Sequence, residues 1–116
     1  MSLPQQYKFY IKQGDTAPPV SIQVIRQDNG LPLNLTSSTV KFSMRMTGAN
    51  TNAVNSLDGV ITDAVNGKVE YRWTNTDTST VGNYRGEFIV TLADTRITKF
   101  PNDGFIEVKI VDSISV

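Results

Sequence analysis

The chain contains neither histidine nor cysteine. The usual general base near neutral pH is therefore missing, and Ser-His, Cys-His and thiolate mechanisms are excluded. Zinc loses its ordinary ligands for the same reason. Carboxylates remain, and a glycosidase needs only two of them facing each other across a cleft. The acids are badly placed for that. Asp28, Asp58 and Asp103 stand in turn sequences, while Glu70, Glu87 and Glu107 fall on alternating strand positions. Glu70 and Glu87 point outward beside Arg72 and Arg85, the pattern of solvated charge on a sheet face. Asp58-Gly59, Asp94-Thr95 and Asn102-Asp103-Gly104 offer too few oxygens for a calcium loop and read as turns. Gly82-Asn83-Tyr84-Arg85-Gly86 leads into a strand rather than a helix, so it is no phosphate cradle. The expectation is no catalytic residue, no metal ligand, no cofactor, and no enzyme.

Binding chemistry is less restricted. Tyr71 and Trp73 would make a sugar-stacking platform if they faced solvent, but they alternate in phase with Val69 and so read as core. Lys+Arg and Asp+Glu both total 11, which gives no bias toward nucleic acid or an anionic membrane. The same neutral balance leaves self-association to a homo-oligomer open. No run approaches the ~18 apolar residues of a membrane span. Met1 to Gln6 carry no basic or apolar signal region. With no cysteine, the domain is expected to fold by packing alone in a reducing or redox-indifferent setting. Asn34-Leu35-Thr36 matches a glycosylation sequon and reads as a chance triplet.

The elements that would position these residues are short alternating runs broken by Gly, Asn, Asp and Pro, an all-β pattern. Lys8–Lys12 forms a first strand. Val20, Ile22 and Val24 share one face of the next. Val40, Phe42, Met44 and Met46 point inward on a third, against Lys41, Ser43 and Arg45. The polar stretch from Thr47 to Asp58 reads as the longest loop. Val60–Ala64 and Lys68–Trp73 flank Asn66-Gly67, which suggests a two-residue hairpin turn. Tyr84, Gly86, Phe88, Val90 and Leu92 point inward on a long strand. A last hairpin is expected to join Arg96–Phe100 to Phe105–Val111, with Pro101 setting φ, Asp103 in the turn and Gly104 in the left-handed position. Seven or eight one-sided strands at this length stack as two antiparallel sheets, a single β-sandwich spanning residues 1–116. A closed small barrel is the alternative.

Gly82-x-Tyr84, after an Asp/Thr turn and at the start of a long strand, has the form of the tyrosine corner of immunoglobulin-like sandwiches. Val81 replaces the acid often found before it. Gly86 stands where an antibody domain has cysteine.

Several segments, in order, resemble one family. They are Gln13-Gly14-Asp15-Thr16, Leu33-Asn34-Leu35-Thr36 leading into Val40–Arg45, Gly67–Thr74 with Asp77-Thr78, Gly82-x-Tyr84-Arg85-Gly86-Glu87-Phe88, and Phe100–Phe105. From about Tyr7 to Ile110 the chain is similar to the immunoglobulin-like N-terminal domain of tailed-phage baseplate upper proteins and related small phage virion proteins. The resemblance implies a structural virion protein, assembled in the bacterial host cytoplasm, that docks onto other tail, baseplate or capsid proteins. A tail or baseplate accessory is the leading expectation. A capsid decoration or head-fibre protein, or a carbohydrate-binding adhesin-like module, is the alternative. The candidate contact residues are Pro4, Tyr7 and Phe9 near the start, Ile114 and Val116 at the end, and Ile25 and Ile89, apolar at positions the alternation gives to solvent. The first strand would offer a β-augmentation surface if it lay at a sheet edge.

Overall fold

Alternation becomes a strand wherever one face finds cover. The computed structural model describes residues 8–114, and among them are nine strands and no helix. They are β1 (Lys8–Lys12), β2 (Val20–Gln23), β3 (Thr39–Met46), β4 (Asn52–Asp58), β5 (Val60–Asp63), β6 (Lys68–Tyr71), β7 (Gly82–Thr91), β8 (Ile97–Phe100) and β9 (Ile106–Val111). The larger sheet runs β1-β9-β7-β3-β4, with β8 also on β7, and the smaller runs β2-β6-β5. All pairings are antiparallel except β1 with β9, which is parallel. The neighbours β9-β7-β3 and β2-β6-β5 reproduce the two sheets of an immunoglobulin-like sandwich.

The inner faces close over a core in which Phe42, Phe88, Val90, Ile106 and Ile110 have no exposure. Phe42 is its hub. Its ring lies 4.8 Å from Tyr71, stacked, 4.9 Å from Phe88 and 5.8 Å from Trp73, edge-on. Tyr71 belongs to the smaller sheet and the two phenylalanines to the larger, so this cluster joins the layers. Aromatic pairs of this kind add about 0.5–1.5 kcal/mol each beyond their buried area. Among the described residues the buried Trp73 Nε1–H has no acceptor. Gly86 opens the space for Phe42, since a Cβ there would stand 2.7 Å from Phe42 Cζ.

Three local expectations are corrected. Residues 52–58 are a strand, not loop. β4 pairs with β3 through bulges, with Ser56 at φ 51° and its N–H donating to Ser43 Oγ at 2.9 Å. Only Val54 of β4 is buried, so solvent reaches both faces and the period-two signal vanishes. The hairpin of β5 and β6 exists, but Asp63 pairs with Lys68, leaving the four-residue loop 64–67. The Asp63 carboxylate holds that loop by accepting from Asn66 Nδ2 at 2.8 Å.

The third correction concerns β8 and β9, which do not form a hairpin. Both run antiparallel to β7 on the same side of it, β8 beside Phe88–Thr91 and β9 beside Gly82–Gly86. They occupy successive halves of the same flank of β7. The ten-residue β7 is long enough to need two partners. Residues 101–105 are the break between them, containing buried Pro101 after a cis bond and Gly104 at φ 77°.

Candidate functional site

At one pole of the sandwich, two of the quoted segments meet. Asp77 accepts hydrogen bonds from the Tyr71 hydroxyl at 2.7 Å and from the Thr74 N–H at 2.9 Å. Thr78, with no exposure, donates its hydroxyl to the Asp15 carbonyl at 2.9 Å, and its backbone carbonyl accepts from the Gly14 N–H at 3.1 Å. Burial, then the hydrogen bond and charge of Asp77, push the Tyr71 phenol well above its ordinary range. This pole is a structural clasp with its polar groups mutually satisfied. Asp77 was not singled out by type or spacing; the Asp-Thr pair after Trp73 was its only signal.

Tyr84 closes a second clasp. Its hydroxyl donates to the Thr80 carbonyl at 2.6 Å, and burial raises its pKa. Gly82, at the head of the same strand, keeps clear the space against Met46 Cε, which a Cβ would approach to 3.0 Å.

The outer face of the larger sheet carries the chemistry left over. A trough of about 720 Å³ runs across it between β3, β7 and β8, with Phe105 at one side. Strand register decides what lines it. Arg45 faces Arg85, Ser43 faces Glu87, and Ile89 faces Lys99. The Arg85 guanidinium lies 5.6 Å from the Phe105 ring centroid, and Arg45 Nε donates to Asn52 Oδ1 at 2.9 Å. Glu87 is the one carboxylate among the described lining residues, so the trough lacks the acid pair that glycoside hydrolysis needs.

The sequence candidates are scattered. Pro4, Tyr7 and Val116 lie outside the described residues. Phe9 is half-buried and stacks on Trp73 at 5.8 Å, facing inward. Ile25 is not a free surface residue: it is half-buried against the core beside Pro32. Ile89 is half-buried in the trough, and Ile114 is fully exposed. Trp73 and Tyr71 are 4% and 3% exposed, so neither ring can stack on a sugar. Asp103 is exposed. β1 both pairs with β9 and forms the sheet edge.

A two-sheet aromatic core with an immunoglobulin-like order, clasped by Asp77 and Thr78, defines an immunoglobulin-like β-sandwich domain. The chain belongs to a phage family: residues 4–113 match the BppU N-terminal domain, the N-terminal domain of phage baseplate upper proteins. Among solved structures it is similar to the N-terminal domain of phage TP901-1 ORF48, with a TM-score of 0.59 and 19% sequence identity. That alignment covers 90% of this chain and 84% of the other; at this identity the likeness is one of fold. No curated protein matches the chain. Membership of a baseplate-domain family makes the protein a structural component of tailed phages.

Proposed function

We propose that the chain is a tail or baseplate adaptor that docks onto neighbouring virion proteins and catalyses nothing. The observation that carries this reading is the family match from residue 4 to residue 113. The scatter of carboxylates and the lack of histidine and cysteine support binding over catalysis. The 11-to-11 charge balance supports protein partners over nucleic acid or membrane. Docking takes place as particles assemble in the host cytoplasm, with a stable contact burying on the order of 1,000 Å² or more.

Electron microscopy of purified particles, with the chain marked by a fused tag, tests this directly. The expected density lies at the tail tip. Density on the head would support the capsid-decoration alternative, and absence of the chain from purified particles would refute a virion role.

A further inference from the structure

The chain has five arginines. Arg26, Arg72 and Arg96 each pair with an acid two residues away, Asp28, Glu70 and Asp94, at 2.7 Å. Arg45 and Arg85 make no ion pair among the described residues. They are instead direct cross-strand neighbours, a placement that brings Cβ atoms to about 4.5–5.5 Å and sets like charges against each other. Neutral groups hold both heads, Asn52 for Arg45 and the Phe105 ring for Arg85. On its other flank Arg85 stands opposite Glu107 of β9, whose carboxylate lies 3.9 Å from Lys8 Nζ, so both heads are fixed in place with no direct carboxylate contact among the described residues. Lys99 adds a third cation to the trough against the single Glu87, in a chain whose total charge is balanced.

The same trough is apolar between its cations. Ile89 lies half-buried on its floor, and Ile97 is 63% exposed at its side. We propose that the trough receives an extended acidic segment of a neighbouring virion protein. One carboxylate bridges Arg45 and Arg85, where a charge-assisted fork can form, and an apolar side chain lies on Ile89 and Ile97. This rests on the docking role proposed above and adds to it the face used and the partner's chemistry. A second copy applying the same face across a two-fold axis would bring its own three cations against these, so it is not the occupant. A nucleic-acid backbone would satisfy the arginines but leave Ile89 and Ile97 in water.

Two measurements test the proposal. In the first, the isotopically labelled chain is titrated with the peptide Glu-Leu-Glu-Leu-Glu, blocked at both ends, with its Lys-Leu counterpart, and with oligo-dT. The acidic peptide should shift amides of β3, β7 and β8, weaken as salt rises, and bind at least fivefold more weakly to Arg45→Gln/Arg85→Gln. Ile97→Ser, an exposed change, should weaken it independently. Equal binding of the Lys-Leu peptide, shifts confined to other strands, or response to the oligonucleotide in place of the peptide would each overturn the proposal.

In the second, phage carrying the wild-type chain or the double glutamine variant are purified and the chain is counted per particle. Loss of the variant alone supports the proposal, given a thermal melt that matches the wild type. Equal incorporation overturns it while leaving the docking role standing. Absence of even the wild-type chain refutes the docking role itself.

Discussion

Adding one methyl group at Gly86 tests whether the aromatic hub organises the sandwich. Gly86 lies inward on β7, opposite Met44 and Ile106. A Cβ there would stand 2.7 Å from Phe42 Cζ and 3.1 Å from Cε1, against a comfortable carbon–carbon separation of about 3.5–4.0 Å. The ring has little room to yield, because Tyr71 and Phe88 hold it at 4.8 and 4.9 Å. Overpacking of this kind costs about 1–3 kcal/mol. Alanine also restricts the unfolded chain, which returns about 0.4–1 kcal/mol. Gly86→Ala is therefore expected to destabilise by about 1–2 kcal/mol net, a fall in Tm of about 4–8 °C for a domain of this length. Urea unfolding and thermal circular dichroism read it. Because the clash is with one ring, combining it with Phe42→Leu should cost less than the two single changes together, by about 1 kcal/mol. A Gly86→Ala protein as stable as the wild type, or strictly additive double-mutant costs, would refute the account of this position.

Gly67→Ala should be worse than Gly86→Ala, at about 3 kcal/mol or more. Gly67 has φ 68°, and a Cβ there would meet the backbone oxygens of Leu33 and Val24 at 2.7 Å; urea midpoints of the two variants decide the order. Tyr84→Phe leaves the Thr80 carbonyl without its 2.6 Å donor and should cost about 1 kcal/mol in urea unfolding. Stability should fall at alkaline pH, because Tyr71 and Tyr84 both have raised pKa values in the folded chain. Their contribution is complete below the unfolded tyrosine value near ~10 and is lost as pH rises through the folded values, where the native state keeps protons the unfolded state has released. Urea midpoints measured from pH 9 to 11.5 should show this decline, and Tyr71→Phe should flatten it.

Where one strand face is buried and the other wet, residue type alone located the strand. Phe42 and Met44 against Lys41 and Ser43 on β3, and Phe88 and Val90 against Glu87 on β7, are cases of this. The tyrosine corner was legible too, since Gly82-x-Tyr84 needs only local spacing. β4 was hidden because solvent reaches both of its faces and only Val54 is buried. The relation of β8 to β9 was hidden because Pro101 to Gly104 has the composition of a reversing turn, and nothing local shows that β7 has room for two strands on one side. Ile25 is half-buried against the core although its phase points outward, because alternation assigns a face but not what lies above it. The trough was half legible. Arg45, Arg85 and Ile89 each pointed outward by phase, but their meeting depends on the pairing of β3, β7 and β8, and register between distant strands is not written in either strand alone.

Because β1 runs alongside β9 in the same direction, Lys8 begins beside Glu107 and Lys12 finishes beside Val111. The polypeptide thus enters this seam at one end and leaves it at the other, about 13 Å further along at ~3.3 Å per residue. Tension applied through the first and last strands pulls them lengthwise past each other. Five registered rungs must then slip at once, whereas a hairpin tugged at its open end parts one rung at a time. Loaded in this way, the seam between β1 and β9 resists in shear as one unit rather than unzipping.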